Sequence, residues 1–113
     1  MAVTATRSVT IQFSGDVSAA NTFAAANNTS SPAGIELQTL ASGANTITPP
    51  SGAKACTIVP PFGNLVTITL KGVTGDTGVV LHLTDPSSIG LNSAVSTFCL
   101  TASDTVTVRL IWS

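Results

Sequence analysis

Short stretches in which apolar and polar residues alternate recur along this chain, and turn chemistry cuts each one off. The clearest is Leu65–Lys71 (LVTITLK), where Val66, Ile68 and Leu70 fall on one face and Thr67, Thr69 and Lys71 on the other. A period of two fits an extended strand with one covered face; a helix would scatter the same residues around its circumference. Val9, Ile11 and Phe13 alternate in the same way with Ser8, Thr10 and Gln12, up to Ser14-Gly15-Asp16. Ile35–Leu40 resumes the pattern, and a short strand at Asn45–Thr48 ends at Pro49-Pro50, which a central strand cannot hold. Ala53–Val59 (AKACTIV) is apolar on both faces, as in a fully covered strand, and Pro60-Pro61-Phe62-Gly63-Asn64 breaks it. Val79–Thr84 lies between the turns Gly72–Gly78 and Asp85-Pro86-Ser87-Ser88. Val95–Ala102 and Thr105–Trp112 read as a closing hairpin joined through Ser103-Asp104. Ser18–Ser31, rich in Ala and Asn around Phe23, reads as a short helix near Phe23–Ala26 or as an ordered loop.

Short β-branched strands separated by turns, with no long helix and no repeat, define the fold class. The expectation is all-β: a single antiparallel β-sandwich, jelly-roll or Ig-like, of about seven to eight strands. It spans residues 1–113 as one domain, with 14–31 an extended arm or loop. The expected core is Val9, Ile11, Phe13, Ile58, Val66, Ile68, Leu70, Leu81, Phe98, Leu100, Val106, Val108 and Leu110.

Composition narrows the function. Only 8% of the 113 residues are charged, the formal net charge is −1, and 18 Thr and 13 Ser supply much of the polarity. A chain this weakly charged lacks the basic footprint that nucleic acid or an anionic membrane requires, so neither is an expected partner. No apolar run reaches the ~20 residues of a membrane span, and Met1–Val9 lacks the layout of a signal peptide. Hydroxyls wet a surface without making copies repel, which suits a subunit packed in an assembly.

The candidate chemical motifs each have a simpler reading. Asp76-Thr77-Gly78 matches the aspartic-protease triplet, but that chemistry needs two carboxylates sharing a proton. Gly72, Gly75 and Gly78 around it suit a hairpin turn, and the same short glycine period specifies no collagen. His82, the one histidine, alternates with Leu81 and Leu83 as a surface or interface residue. Asp16, Asp85 and Asp104 sit in separate turns without the loop spacing that builds a calcium site. Asn27-Asn28-Thr29-Ser30 holds overlapping glycosylation sequons, idle without export. Cys56 and Cys99 form no C-x-x-C pair; they are two buried thiols or one inter-strand disulfide. No residue is thus assigned a catalytic, cofactor-binding or metal-binding role, no cofactor is expected, and the chain is not read as an enzyme.

Aromatic residues bear on carbohydrate binding, which exposed rings would support. Phe13 and Phe98 read as internal, leaving Phe23, Phe62 and Trp112 for a surface. Phe62, between Pro60-Pro61 and Gly63, reads better as a loop-tip anchor for a protein neighbour than as a sugar platform.

The Thr/Ser-rich strands, the segment GVTGDTGVVLHLTDPSSIGL (72–91) and the closing TVTVRLIW (105–112) together resemble small β-sandwich structural proteins of tailed-bacteriophage virions. The resemblance runs from about Ile35 to Trp112, in texture and strand-turn layout rather than in a diagnostic motif. It implies a virion location and a non-enzymatic role as a capsid decoration or cement subunit, with a tail or baseplate component as the alternative. The implied partners are the chain itself, as a homotrimer or other symmetric oligomer, and virion proteins such as the major capsid protein. A binding module showing loops 49–52, 60–64 and 85–90 to a host-surface glycan is the competing class.

Overall fold

The computed structural model describes residues 5–11, 23–29, 34–72, 75–92 and 94–113, and only the backbone within 5–11 and 23–29. It is all-β. Ten strands are formed: β1 (Ala5–Ile11), β2 (Phe23–Thr29), β3 (Gly34–Leu40), β4 (Gly43–Ile47), β5 (Ala55–Val59), β6 (Ile68–Lys71), β7 (Val79–Val80), β8 (Ser87–Gly90), β9 (Phe98–Ala102) and β10 (Val106–Trp112).

Strands β3 to β10 make two four-stranded antiparallel sheets, ordered β3-β10-β5-β8 and β4-β9-β6-β7. The pairing is nested: β6 pairs with β7, β5 with β8, β4 with β9 and β3 with β10. This is one long antiparallel ribbon rolled up until β10 also meets β5 and β9 also meets β6. Between the two expected sandwiches, that order selects the jelly roll. β1 and β2 form a separate two-stranded ribbon ahead of it.

Alternating side chains fill the space between the sheets. Val106, Val108, Leu110 and Trp112 from β10 meet Phe98, Leu100 and Ala102 from β9, with Leu40, Ile47, Cys56, Ile58 and Ile68 closing the cluster. Burying a large aliphatic side chain contributes about 1.5–3 kcal/mol, so the fully buried Leu40, Ile58, Leu100 and Leu110 anchor the sandwich. Of the expected core, Ile58, Ile68, Phe98, Leu100, Val106, Val108 and Leu110 are buried, and Val66, Leu70 and Leu81 pack against it half-buried. The side chains of Val9 and Ile11, and Phe13 altogether, lie outside the described residues.

The strands expected over Leu65–Lys71 and Val95–Ala102 form only at Ile68–Lys71 and Phe98–Ala102, and four other local expectations change. β9 and β10 are not a hairpin: they lie in opposite sheets, and Ser103–Thr105 crosses between them. Each carries a fully apolar inner face, and two such faces bury more area stacked than edge to edge. Residues 23–29 are a strand paired with β1 rather than a short helix. Asp85–Gly90 is not all turn, since Ser87–Gly90 forms β8 along β5. Val79–Thr84 is a strand only at Val79–Val80, because the His82 ring then bends the chain by accepting the N–H groups of Thr84 and Asp85 at 3.2 and 2.9 Å.

Candidate functional site

Among the described residues, the loop between β5 and β6 carries the most exposed large apolar side chains. Its turn closes with the Asn64 N–H donating to the Pro61 carbonyl at 3.1 Å, and Gly63 takes the left-handed conformation (φ +68°) that the turn requires. Asn64 is buried and fully employed. Its amide donates to the carbonyls of Val66 (2.9 Å) and Leu83 (2.7 Å), and its Oδ1 accepts the Val66 N–H (3.0 Å). The Leu83 bond ties this loop to the β7–β8 loop. One buried side chain thus fixes two loops at once, since an unmade bond there would cost about 1–3 kcal/mol.

The fixed loops hold apolar groups in water. Phe62 is completely exposed and Leu65 is 86% exposed, while Leu83 on the neighbouring loop is partly open. Large apolar residues on a rigid turn carry little ordering cost when a partner covers them, the property of interface anchors. The expectation that Phe62 sits at a loop tip holds. Leu65 does not follow the alternation of Val66, Ile68 and Leu70, and that break in pattern was the available signal.

The other candidates take structural places. Trp112 is 2% exposed and packs against Phe98 (ring centroids 6.4 Å apart), so it offers no sugar platform. Among the described aromatic side chains this leaves Phe62 alone at the surface. β6 and β7 pair antiparallel, and Asp76, in the stretch between them, is exposed. Gly78 is the constrained position there: at φ +76° a β-carbon would stand 2.5 Å from the Leu70 carbonyl oxygen. His82 is exposed, with the Asp85 carboxylate 3.8 Å away. Asp104 caps its own turn by accepting the Thr105 N–H at 2.7 Å, and Asp16 lies outside the described residues. Among the described residues no three His, Cys, Asp or Glu side chains cluster to hold a metal.

Both cysteines are free and buried. Their faces explain why they do not bond. Cys56 pairs with Trp112 on the inner face of one sheet, whereas Cys99 alternates with Leu100 and so shares the outer face of the other with Thr101. Burial, reinforced by the nearby Glu36 charge, pushes the Cys56 thiol up to about 12, so it is inert as a nucleophile near neutrality.

An open cleft of about 820 Å³ lies between the sheet edges at β7 and β8, lined by Leu70, Val79, Ile89, Leu91, Val95 and Phe98 with Lys71 and Asp76 at its margin. A smaller one of about 420 Å³ lies between Pro49–Lys54 and Leu91–Ser96.

No protein-family model, no curated protein and no solved structure matches this chain.

Proposed function

We propose that this protein is a non-enzymatic structural subunit of a virion, a capsid decoration or cement protein that works through symmetric protein–protein interfaces. The observation that carries the reading is the Asn64 clamp, which spends a buried amide on holding Phe62 and Leu65 out in solvent. In a free monomer the exposed Phe62 and Leu65 bury no apolar area. A subunit seated on a fixed neighbour gains a preformed anchor. The sparse charge of the chain supports the same reading, because it leaves little repulsion between close-packed copies. The resemblance in strand texture supplies the virion setting.

Repetition makes modest anchors sufficient, since each copy on a symmetric particle binds at the high effective concentration that its neighbours create. The test compares particles carrying the parent chain, particles carrying Phe62→Ser, and particles lacking the protein. Loss of the protein should lower heat and low-salt resistance, and Phe62→Ser should reduce occupancy without lowering the melting temperature of the isolated protein. Particles equally robust without the protein would sink the cementing role.

A further inference from the structure

The longest open edge of the sandwich is β3. Of the four strands that end its two sheets, β3 has seven residues, β4 five, β8 four and β7 two. Among the described residues β3 pairs only with β10. The ladder on the other side of β10 shows which backbone groups of β3 stay open. Ser113 and Ala55 each donate an N–H to the other's carbonyl, at 3.1 and 3.0 Å, so they are a hydrogen-bonded pair. Such pairs alternate along a ladder, so Ile111 and Arg109 also turn their backbone groups to β5. Trp112, Leu110 and Val108 turn theirs to β3, where they meet Gly34, Glu36 and Gln38. Ile35, Leu37 and Thr39 are left with N–H and carbonyl groups on the open edge. The 3.0 Å contact between the Thr39 and Thr107 hydroxyls agrees, since side chains approach closest across non-hydrogen-bonded pairs.

We propose that β3 pairs antiparallel with β3 of a second copy, about a two-fold axis through Leu37, joining two β3-β10-β5-β8 sheets into one. The proposal rests on the assembly reading above and names a contact it would use. The edge is not blunted: residues 34–40 contain no Pro and no Lys, and their register with β10 runs unbroken. It is also self-complementary. Leu37 is the middle of the seven residues, so this axis uses the whole strand. It sets Leu37 opposite Leu37 of the second copy and Ile35 opposite its Thr39, which are the residues with open backbone groups. Each pair exchanges two bonds, about six in all. The exposed Leu37 side chains meet at the axis. Glu36 falls opposite Gln38 of the second copy, an amide donor for its carboxylate. Within one chain the Gln38 amide only reaches back to the Thr39 carbonyl, at a long 3.5 Å. An axis one residue earlier would set Glu36 against its own copy, like charge on like charge.

The experiment reads register by disulfide formation and association by native mass, both on the full chain. Cys56 and Cys99 are buried and do not compete. Leu37→Cys should form a disulfide dimer under mild oxidation, because the two Cα atoms stand about 5.5 Å apart. Ile35→Cys alone should not, since its two copies are offset by about 13 Å along the strands. Ile35→Cys mixed with Thr39→Cys should form the mixed dimer. Leu37→Pro removes an N–H that faces outward, so the β10 ladder survives. It should raise the dissociation midpoint roughly tenfold or more with the melting temperature nearly held. Leu37→Lys keeps that N–H but sets two like charges at the axis, and should weaken association likewise, so a proline variant that misfolds does not end the test. Ile35→Cys linking to itself as readily as Leu37→Cys would overturn the axis. Association unchanged in both Leu37 variants would overturn the contact and leave the assembly reading in place. A parent chain that stays monomeric would overturn the contact, and the particle comparison above would then decide the assembly reading by itself.

Discussion

The indole Nε1–H of Trp112 donates to Oε2 of Glu36 at 3.1 Å, a bond that ties β3 to the inner face of β10. Strand residues alternate, so turning Glu36 toward Trp112 turns Ile35 and Leu37 outward. Leu40, of the same parity as Glu36, then falls fully inside. The burial of Leu40 and the Trp112–Glu36 bond thus both favour the orientation of β3 that leaves Ile35 and Leu37 exposed, while Glu36 itself stays open to water. Glu36→Ala should lower unfolding stability by about 1 kcal/mol, the net worth of a partly buried hydrogen bond, and Glu36→Gln by less because an acceptor remains. Chemical denaturation checks both; an Ala variant as stable as the parent would show that the bond does not hold β3.

Asn64→Ala should leave two carbonyls and one N–H without partners and cost about 1–3 kcal/mol in the same assay. It should also raise amide exchange across residues 61–66 and 81–85 together, because the side chain joins the two loops. Exchange rising in one loop alone would contradict the clamp.

Gly78→Ala must place a β-carbon 2.5 Å from a backbone oxygen and in a left-handed conformation. Strain of that kind costs about 1–3 kcal/mol. Gly75→Ala, on the same turn with open space around it, should cost much less, so the pair of melting temperatures isolates the steric demand.

Cys56 gives a pH signature whose sign is fixed. The thiol ionises near 9.0 in the unfolded chain and near 12 in the folded one. Its contribution is complete below about pH 9 and is lost as pH rises from 9 toward 12, because the unfolded chain then releases a proton that the folded chain keeps. The stability difference between the parent and Cys56→Ala should accordingly be flat below pH 8 and move in favour of the variant above pH 9. A difference independent of pH up to 11 would contradict the burial.

Strands with strict alternation were legible from sequence, since the pattern at Ile68 and Leu70 or at Val106, Val108 and Leu110 states both the strand and its covered face, although Leu65–Thr67 lies ahead of β6 rather than in it. Their partners were not. β9 and β10 adjoin in sequence and invite a hairpin, yet the jelly-roll order stacks them, and no local residue encodes that. β8 was hidden because Ser87-Ser88 reads as turn chemistry when the ladder to β5 is unseen. At the site, Phe62 between Pro61 and Gly63 was legible as a tip, whereas Asn64 was not, because its acceptor on Leu83 lies 19 residues on.

The first quantity to measure is the native mass of the purified full chain across a wide concentration range. A closed symmetric oligomer well above the 11.3 kDa of one chain is the expected result. A chain that stays at 11.3 kDa up to the highest concentration would contradict a subunit built to associate with itself.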